Sequence, residues 1–253
     1  MRFENKTAIV TGSTAGFGKA IAIAFAKEGA KVAVTGRNAQ EGHEVVRIIR
    51  RQGGNAFFVQ AEMTDESSVN HMVEQIMSTC SQIDVLVNNV GTVFQGNILE
   101  LSPADWTKSW QANVDSAYLT SRAVLPHMLK RKEGVIVNMG STAAVKGLKN
   151  RVAYCTGKFA LIGLTKALAV DHSKEGIRVN CICPGAVETE MVKAMINSSP
   201  DPEKTRQMLV DRRLTNELGT VEEIAEATLF LASPQMKYMT GAILSVDGGA
   251  SVK

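Results

Sequence analysis

Thr7-Ala-Ile-Val-Thr-Gly12-Ser-Thr-Ala-Gly16-Phe-Gly18 is the stretch that decides the fold. Its first five residues are a β-prone run, and Lys19 to Glu28 then repeats its apolar residues with helical period. A strand, a glycine-rich turn and a helix start make an anion site, because free backbone N–H groups and the helix dipole face a phosphate. The glycine spacing is G-x-x-x-G-x-G rather than G-x-G-x-x-G. Alone, the three glycines read equally as a tight turn. Their position between a strand and a helix is what favours the phosphate.

Outward from this turn the pattern repeats. Lys31 to Thr35 predicts a second strand, ending in Gly36-Arg37-Asn38. The residue after the second strand of a dinucleotide fold faces the adenosine ribose, where an acid binds the 2′-hydroxyl and an arginine accommodates a 2′-phosphate. Arg37 therefore favours NADP over NAD, against the plainer reading of a solvated loop arginine. A helix over about 40–52, a strand over Ala56–Gln60, the loop Ala61-Glu62-Met63-Thr64-Asp65 and a helix capped by Thr64 or Asp65 follow. Ile83 to Val87 predicts a fourth strand, closed by Asn88-Asn89-Val90-Gly91. Strands alternating with helices imply a parallel sheet covered on both faces, with ligands beyond the carboxyl ends of the strands. Gly12, Arg37, Glu62 and Asn89 all fall at such ends.

Composition excludes several classes. With 253 residues, 45% apolar and 21% charged, the chain is globular rather than disordered. A net charge of +3 gives no argument for nucleic acid or membrane binding, and Lys130-Arg131-Lys132 suits a helix end. Cys80, Cys155, Cys181 and Cys183 lack metal spacing, the last two reading as core thiols, and His43, His71, His127 and His172 are scattered, so no catalytic metal is expected. No signal peptide or membrane-spanning run is evident, so a soluble, cytoplasmic protein is expected.

The chemistry concentrates between Ser141 and Lys158. Tyr154 and Lys158 are four apart and share one helix face. An ammonium beside a phenol favours phenolate, so Tyr154 is expected to ionise below the usual value of about 10 and to act as a general acid/base. Ser141 follows the strand Gly134–Met139, where its hydroxyl could reach a carbonyl oxygen also held by Tyr154. Taken alone, Tyr-x-x-x-Lys is more often an ordinary surface pair.

Together these motifs resemble the short-chain dehydrogenase/reductase family over nearly the full length. Thr11-Gly12-x-x-x-Gly16-x-Gly18 matches the cofactor turn, Asn88-Asn89-Val90-Gly91 its Asn-Asn-Ala-Gly motif, and Pro184-Gly185-x-x-x-Thr189 its segment near the nicotinamide. Asn113, Ser141, Tyr154 and Lys158 fit its catalytic tetrad; Ser141 precedes Tyr154 by 13 residues and Tyr154 precedes Lys158 by 4. The resemblance implies an α/β fold with a Rossmann-type doubly wound parallel sheet, in one NAD(P)-binding domain over residues 1–253. It implies cofactor contacts from Gly12, Thr14, Gly16, Phe17, Gly18, Arg37, Asn38, Glu62, Met63, Asn89, Val90, Gly91, Tyr154, Lys158, Pro184, Gly185, Val187 and Thr189. By the same resemblance, Tyr154 donates the proton, Ser141 holds the carbonyl oxygen, Lys158 holds the nicotinamide ribose and Asn113 positions a proton-relay water. Two departures stand out. Glu62 replaces the usual Asp expected to bind the adenine amino group, and the turn residues Ser13, Thr14 and Ala15 include no cation to help Arg37.

The second half addresses the substrate. The helix over about 152–174 carries a small apolar face, read as core and, by resemblance, as part of a homodimer or homotetramer interface. Arg178 to Cys183 reads as a strand and 240–249 as the last one. Residues 187–220 look polar and irregular and are read as a helical substrate lid, with Met191 and Met195 either facing substrate or filling a small helix. Lys146-Gly-Leu-Lys-Asn-Arg151 is similar to a stretch in relatives acting on hydroxy acids and sugar acids, so Arg151, with Arg212 as partner, is a candidate carboxylate clamp. The small-molecule substrate is then a keto or hydroxy acid or a sugar derivative. A 3-oxoacyl thioester reductase with Lys130, Arg131 and Lys174 as carrier contacts is the alternative, and a non-catalytic nucleotide sensor is the third reading.

Overall fold

Burial on both faces shows first in the strands: all four residues of β1 (Thr7–Val10) and of β4 (Val85–Asn88) are buried. The computed structural model describes residues 1–253 except the side chain of Met191, so the expected place of Met191 lies outside the described residues. With β2 (Lys31–Gly36), β3 (Asn55–Gln60), β5 (Gly134–Met139), β6 (Ile177–Pro184) and β7 (Ile243–Val246) they form one sheet in the order β3-β2-β1-β4-β5-β6-β7. Every neighbouring pair is parallel. The order reverses between β1 and β4, the switch point at which doubly wound sheets open a crevice. The expected Rossmann-type architecture is the one present.

Helices cover both faces, as parallel crossovers require. On one face, α1 (Gly16–Lys27), α2 (Ala39–Arg51) and α9 (Val221–Ala232) bury Ile21, Phe25, Val45, Ile49 and Leu229, α1 and α2 over β1 and β2 and α9 over β5 and β6. On the other, α3 (Glu66–Cys80), α5 (Ser116–Arg131) and α6 (Val152–His172) bury Met72, Ile76, Val124, Met128 and Ala169. Asp65, not Thr64, caps α3, accepting a hydrogen bond from Ser68 N at 3.0 Å. Lys130 and Arg131 end α5, and Cys181 and Cys183 are buried thiols on β6.

Residues 187–220 are helical, as expected of the lid, although their composition looks irregular. They hold α7 (Glu190–Asn197) and α8 (Pro202–Val210), each started by a side-chain cap, Thr189 and Asp201. The caps and Pro202 supply helix starts that this polar composition hides. Also unread in the sequence were α4 (Pro103–Trp110) and α9, whose Thr220 and Glu223 form a capping box. No described helix is long and apolar enough to cross a membrane.

At the amino end of the sheet, buried Asp84 ties three elements together. It accepts from Thr7 N at 2.8 Å, Arg131 Nη2 at 2.8 Å, Gln82 Nε2 at 2.8 Å and Lys6 Nζ at 3.3 Å. Removing it leaves a buried N–H and a half-buried guanidinium without their acceptor. Asp84→Ala is expected to cost about 3 kcal/mol in a denaturant melt, whereas a loss near zero would show that the cluster does not brace the sheet.

Candidate active site

The turn after β1 folds back onto α1. Gly12 and Gly16 take positive φ, +61° and +54°, and a Cβ on Gly18 would stand 2.4 Å from Gly12 O. Asn89 Nδ2 holds the turn by donating to Thr11 O at 2.9 Å and Gly12 O at 3.1 Å. α1 follows Ala15 with no side-chain cap, as α5 and α6 also lack one, and the space beside Gly16 is open. Uncommitted N–H groups beside open space fit a phosphate. Val90 packs against Gly12, Thr14 packs over Gly36, and Phe17 packs on the core below.

At the neighbouring strand ends, Arg37 is largely exposed and its Nη1 lies 3.5 Å from Glu62 Oε2. The other Glu62 oxygen accepts from Thr64 N at 3.0 Å and Thr64 Oγ1 at 2.9 Å. Glu62 therefore braces its own loop and stands beside Arg37. Asn38 caps α2 through its side chain, and Met63 is buried in the core.

The catalytic candidates meet beyond β4 and β5. A π-turn over Gln111–Asp115 joins α4 to α5 and carries fully buried Asn113 inward. Asn113 Nδ2 donates to Thr92 O at 2.8 Å and Ser109 O at 2.9 Å. This side chain is a clamp between a loop and a helix rather than a free ligand. Gly91 sits between Asn113 and Lys158, since its added Cβ would lie 2.7 Å from Asn113 Oδ1 and 3.1 Å from Lys158 Nζ. Lys158 is 3% exposed and donates to Met139 O at 2.8 Å, its one hydrogen bond among the described residues. Two donors on a buried ammonium remain uncommitted, an arrangement that fits ligand hydroxyls. Beneath, Asn88, Thr120, Asn138 and Thr165 form a buried hydrogen-bonded chain across β4, α5, β5 and α6.

Tyr154 is on the first turn of α6, and the Ser141 hydroxyl, which accepts from Ala143 N at 3.1 Å, is near enough to favour its ionised form. The expectation that Lys158 lowers its pKa is reversed. Burial pushes the phenol above its ordinary value, with the Ser141 hydroxyl and the Arg151 charge opposing it. Lys158 Nζ stands 5.8 Å from the ring centroid and is itself pulled down to about 8 by burial. The dry site pushes each group toward its neutral form.

Beyond β6, Pro184, Gly185, Val187 and Thr189 lead into α7. A Cβ on Gly185 would lie 2.7 Å from Asp247 Cα, Val187 is buried, and Thr189 caps α7. Arg151 is half-buried, its Nη1 donating to Asn150 O at 2.8 Å. The structure leaves Arg212 in solvent and turns Arg213 inward instead, where its Nε and Nη1 have no hydrogen-bond partner. Met195 is about half exposed. A cavity of about 530 Å³ opens from Gly16 between α1 and α9, and none of Ser141, Tyr154 and Lys158 lines it. Ser109 was missed in the sequence although it stands four residues before Asn113, the spacing that makes helical neighbours.

Comparison with known proteins agrees with this geometry. Residues 12–251 match the family model described as Enoyl-(Acyl carrier protein) reductase. Dehydrogenase/reductase SDR family member 6 of Danio rerio is 40% identical over 249 residues, covering 98% of each chain. A solved structure from Burkholderia xenovorans, assigned as a short-chain dehydrogenase/reductase, superposes with a TM-score of 0.96 at 32% identity, covering 100% of this chain and 98% of that one. Another, from Agrobacterium tumefaciens and assigned as a gluconate dehydrogenase, gives 0.94 at 29% identity, covering 99% and 98%.

The depressed Lys158 value has a consequence for stability. It lies near 8 when folded against a usual 10.5, so between those values the unfolded chain holds the extra proton and stability rises with pH. Below pH 8 the folded protein carries the burial cost in full. Lys158→Met is expected to stabilise the ligand-free protein at pH 7 by about 2 kcal/mol, net of the lost bond to Met139. The gain fades as pH rises through the window from 8 to 10.5. Urea melts at both ends of that window check it, and an equal gain at each end would show that titration of Lys158 is not its source.

Proposed function

The chain belongs to the short-chain dehydrogenase/reductase family, a family of oxidoreductases that generally use NAD(P)(H), and from that premise we propose an NADP-preferring enzyme. It interconverts a carbonyl and a secondary alcohol on a small keto or hydroxy acid or a sugar derivative. The observation that carries this reading is the buried Lys158, whose ammonium donates to Met139 O and stands 5.8 Å from the Tyr154 ring centroid.

The residues present suit the dinucleotide. The uncapped start of α1 would hold its pyrophosphate, Lys158 its nicotinamide ribose hydroxyls, and Arg37 a 2′-phosphate in exchange for Glu62. When bound, the nicotinamide supplies or accepts the hydride. Tyr154 Oη donates the proton to the carbonyl oxygen as negative charge builds there, and the Ser141 hydroxyl hydrogen-bonds the same oxygen. A phenol held protonated by burial is ready for this acid role. Recovering the proton needs the neighbouring Lys158 charge, which supports Lys158 as the group that makes Tyr154 a usable base in the other direction.

In this reading Arg151, half-buried one turn before Tyr154, acts as the carboxylate clamp, and α7 and α8 as the substrate lid. Arg212 is the weaker partner because solvent surrounds it. Exposed Tyr118 on α5 with Phe159 and Val170 on α6 support a homodimer or homotetramer. The second reading, a 3-oxoacyl thioester reductase, draws on the description of the matching family model. Against it, Arg131 is already engaged by Asp84 and Glu133 and is not free for a carrier.

NADPH oxidation with acetoacetate and with its ethyl ester, at matched concentrations, separates the readings. The clamp requires the acid to be preferred, and preference for the ester would overturn it and favour the thioester reading. Tyr154→Phe should cut turnover by about 10²-fold or more while NADPH binding stays within a few-fold. Substantial residual turnover would refute Tyr154 as the acid.

A further inference from the structure

The segment after β7 makes more contacts than a loose tail would. Gly248 O accepts from Leu214 N at 2.7 Å and Thr215 N at 3.2 Å, just past the end of α8. Gly248 and Gly249 have positive φ, and a Cβ on either would strike Thr215 Oγ1 at 2.4 Å or Leu214 Cδ1 at 2.7 Å. The contact therefore admits no side chain at either position. Asp247 shapes the turn by accepting from Gly249 N at 3.0 Å and Ser251 N at 2.9 Å.

Two lysines extend this grip in opposite directions. Lys253 Nζ donates to Asp211 O at 2.5 Å and Arg213 O at 3.0 Å, placing a cation on the carbonyl end of α8. Lys146 Nζ, from the loop between Ser141 and Tyr154, donates to Ala250 O and, at 3.3 Å, to Lys253 O. On the same loop, Thr142 Oγ1 donates to Pro184 O at 3.1 Å and lies 3.5 Å from Asp247 Oδ2. The entry to α7 is pinned to its exit as well, through Glu188 N donating to Gly219 O at 2.9 Å.

We propose that Asp247–Lys253 is a clasp that fastens the α7–α8 lid to the catalytic loop, with Lys146 and Lys253 as its positioning residues. Lys146 holds the clasp to the loop that carries Ser141, and Lys253 holds the clasp to the end of α8. The position of the lid over the cleft and the position of the catalytic hydroxyls are then set by one connected set of hydrogen bonds. Only the kinetic consequence of the clasp rests on the proposed reductase activity.

Limited trypsin digestion read by mass spectrometry tests it directly, because Lys193, Lys204, Arg206 and Arg212 are accessible cleavage sites in or beside α7 and α8. In full-length Lys146→Met and Lys253→Met, cleavage at these sites should rise about tenfold. Cleavage elsewhere and the melting temperature should stay close to wild type, and Lys146→Arg should restore protection. With a turned-over carbonyl substrate, KM should rise several-fold while NADPH affinity holds. Lid cleavage at the wild-type rate in both variants, or an equal rise along the whole chain, would overturn the clasp. Should Lys146→Met fail to fold, exposed Lys253→Met decides the question alone. Increased lid cleavage in an enzyme that turns over no carbonyl would leave the clasp standing and overturn the proposed function instead.

Discussion

A lysine ammonium held almost out of water by one carbonyl is the constraint around which this structure is arranged. Lys158 keeps its charge near neutral pH only against the cost of burial, which has already drawn its pKa down to about 8. The surroundings are shaped to that group. Gly91 has no side chain because a Cβ would press on Lys158 Nζ, and Asn113 is carried to the same place by a π-turn that an ordinary helix would not supply. β5 presents Met139 O below it, and Ser141 follows two residues later to meet Tyr154. Such a site is stable only while parallel strands and the helices on both faces exclude water around it.

Much of this was legible in the chain because it depends on local spacing. The glycines between β1 and α1, the alternation of strands and helices, and the intervals joining Ser141, Tyr154 and Lys158 are all short-range signals. They point to the sheet, to the edge where its strands end and to Ser141, Tyr154 and Lys158 as candidates. What was not legible depends on long-range packing. The direction of the Tyr154 shift required knowing how dry the site is and that Lys158 stands 5.8 Å from the ring. Glu62 is drawn to Arg37 and Thr64 by a loop conformation that its sequence does not disclose. Arg212 and Arg213 are adjacent in the chain, and only the packing against Gly248 decides that the second turns inward. The capping box of α9, by contrast, was written in Thr220 and Glu223 and could have been read.

The division between rigid chemistry and adaptable specificity follows the architecture. The groups proposed to react stand just past a strand end and on the first turns of α6, above the buried hydrogen bonds of Asn88, Asn138 and Thr165. The groups that would choose among cofactors and substrates, Arg37, Arg151 and the α7–α8 segment, lie in loops or on half-exposed helices. Arg37 must leave a carboxylate to meet a phosphate, which makes cofactor preference a contest between two anions near one guanidinium. A family that keeps one hydride chemistry can change substrates through such positions without disturbing the core.

The most direct measurement is an ultraviolet titration of tyrosine ionisation, wild type minus Tyr154→Phe, which isolates one phenol among the three tyrosines of the chain. In ligand-free protein Tyr154 should ionise above the ordinary tyrosine value of about 10, because burial outweighs the Ser141 hydroxyl and the Arg151 charge. With NADP⁺ present it should ionise closer to neutral pH, as a group that also serves as a base must. A phenol that ionises below the ordinary value without ligand, or that does not respond to NADP⁺, would contradict the view that a dry lysine–tyrosine pair is the acid/base of this enzyme.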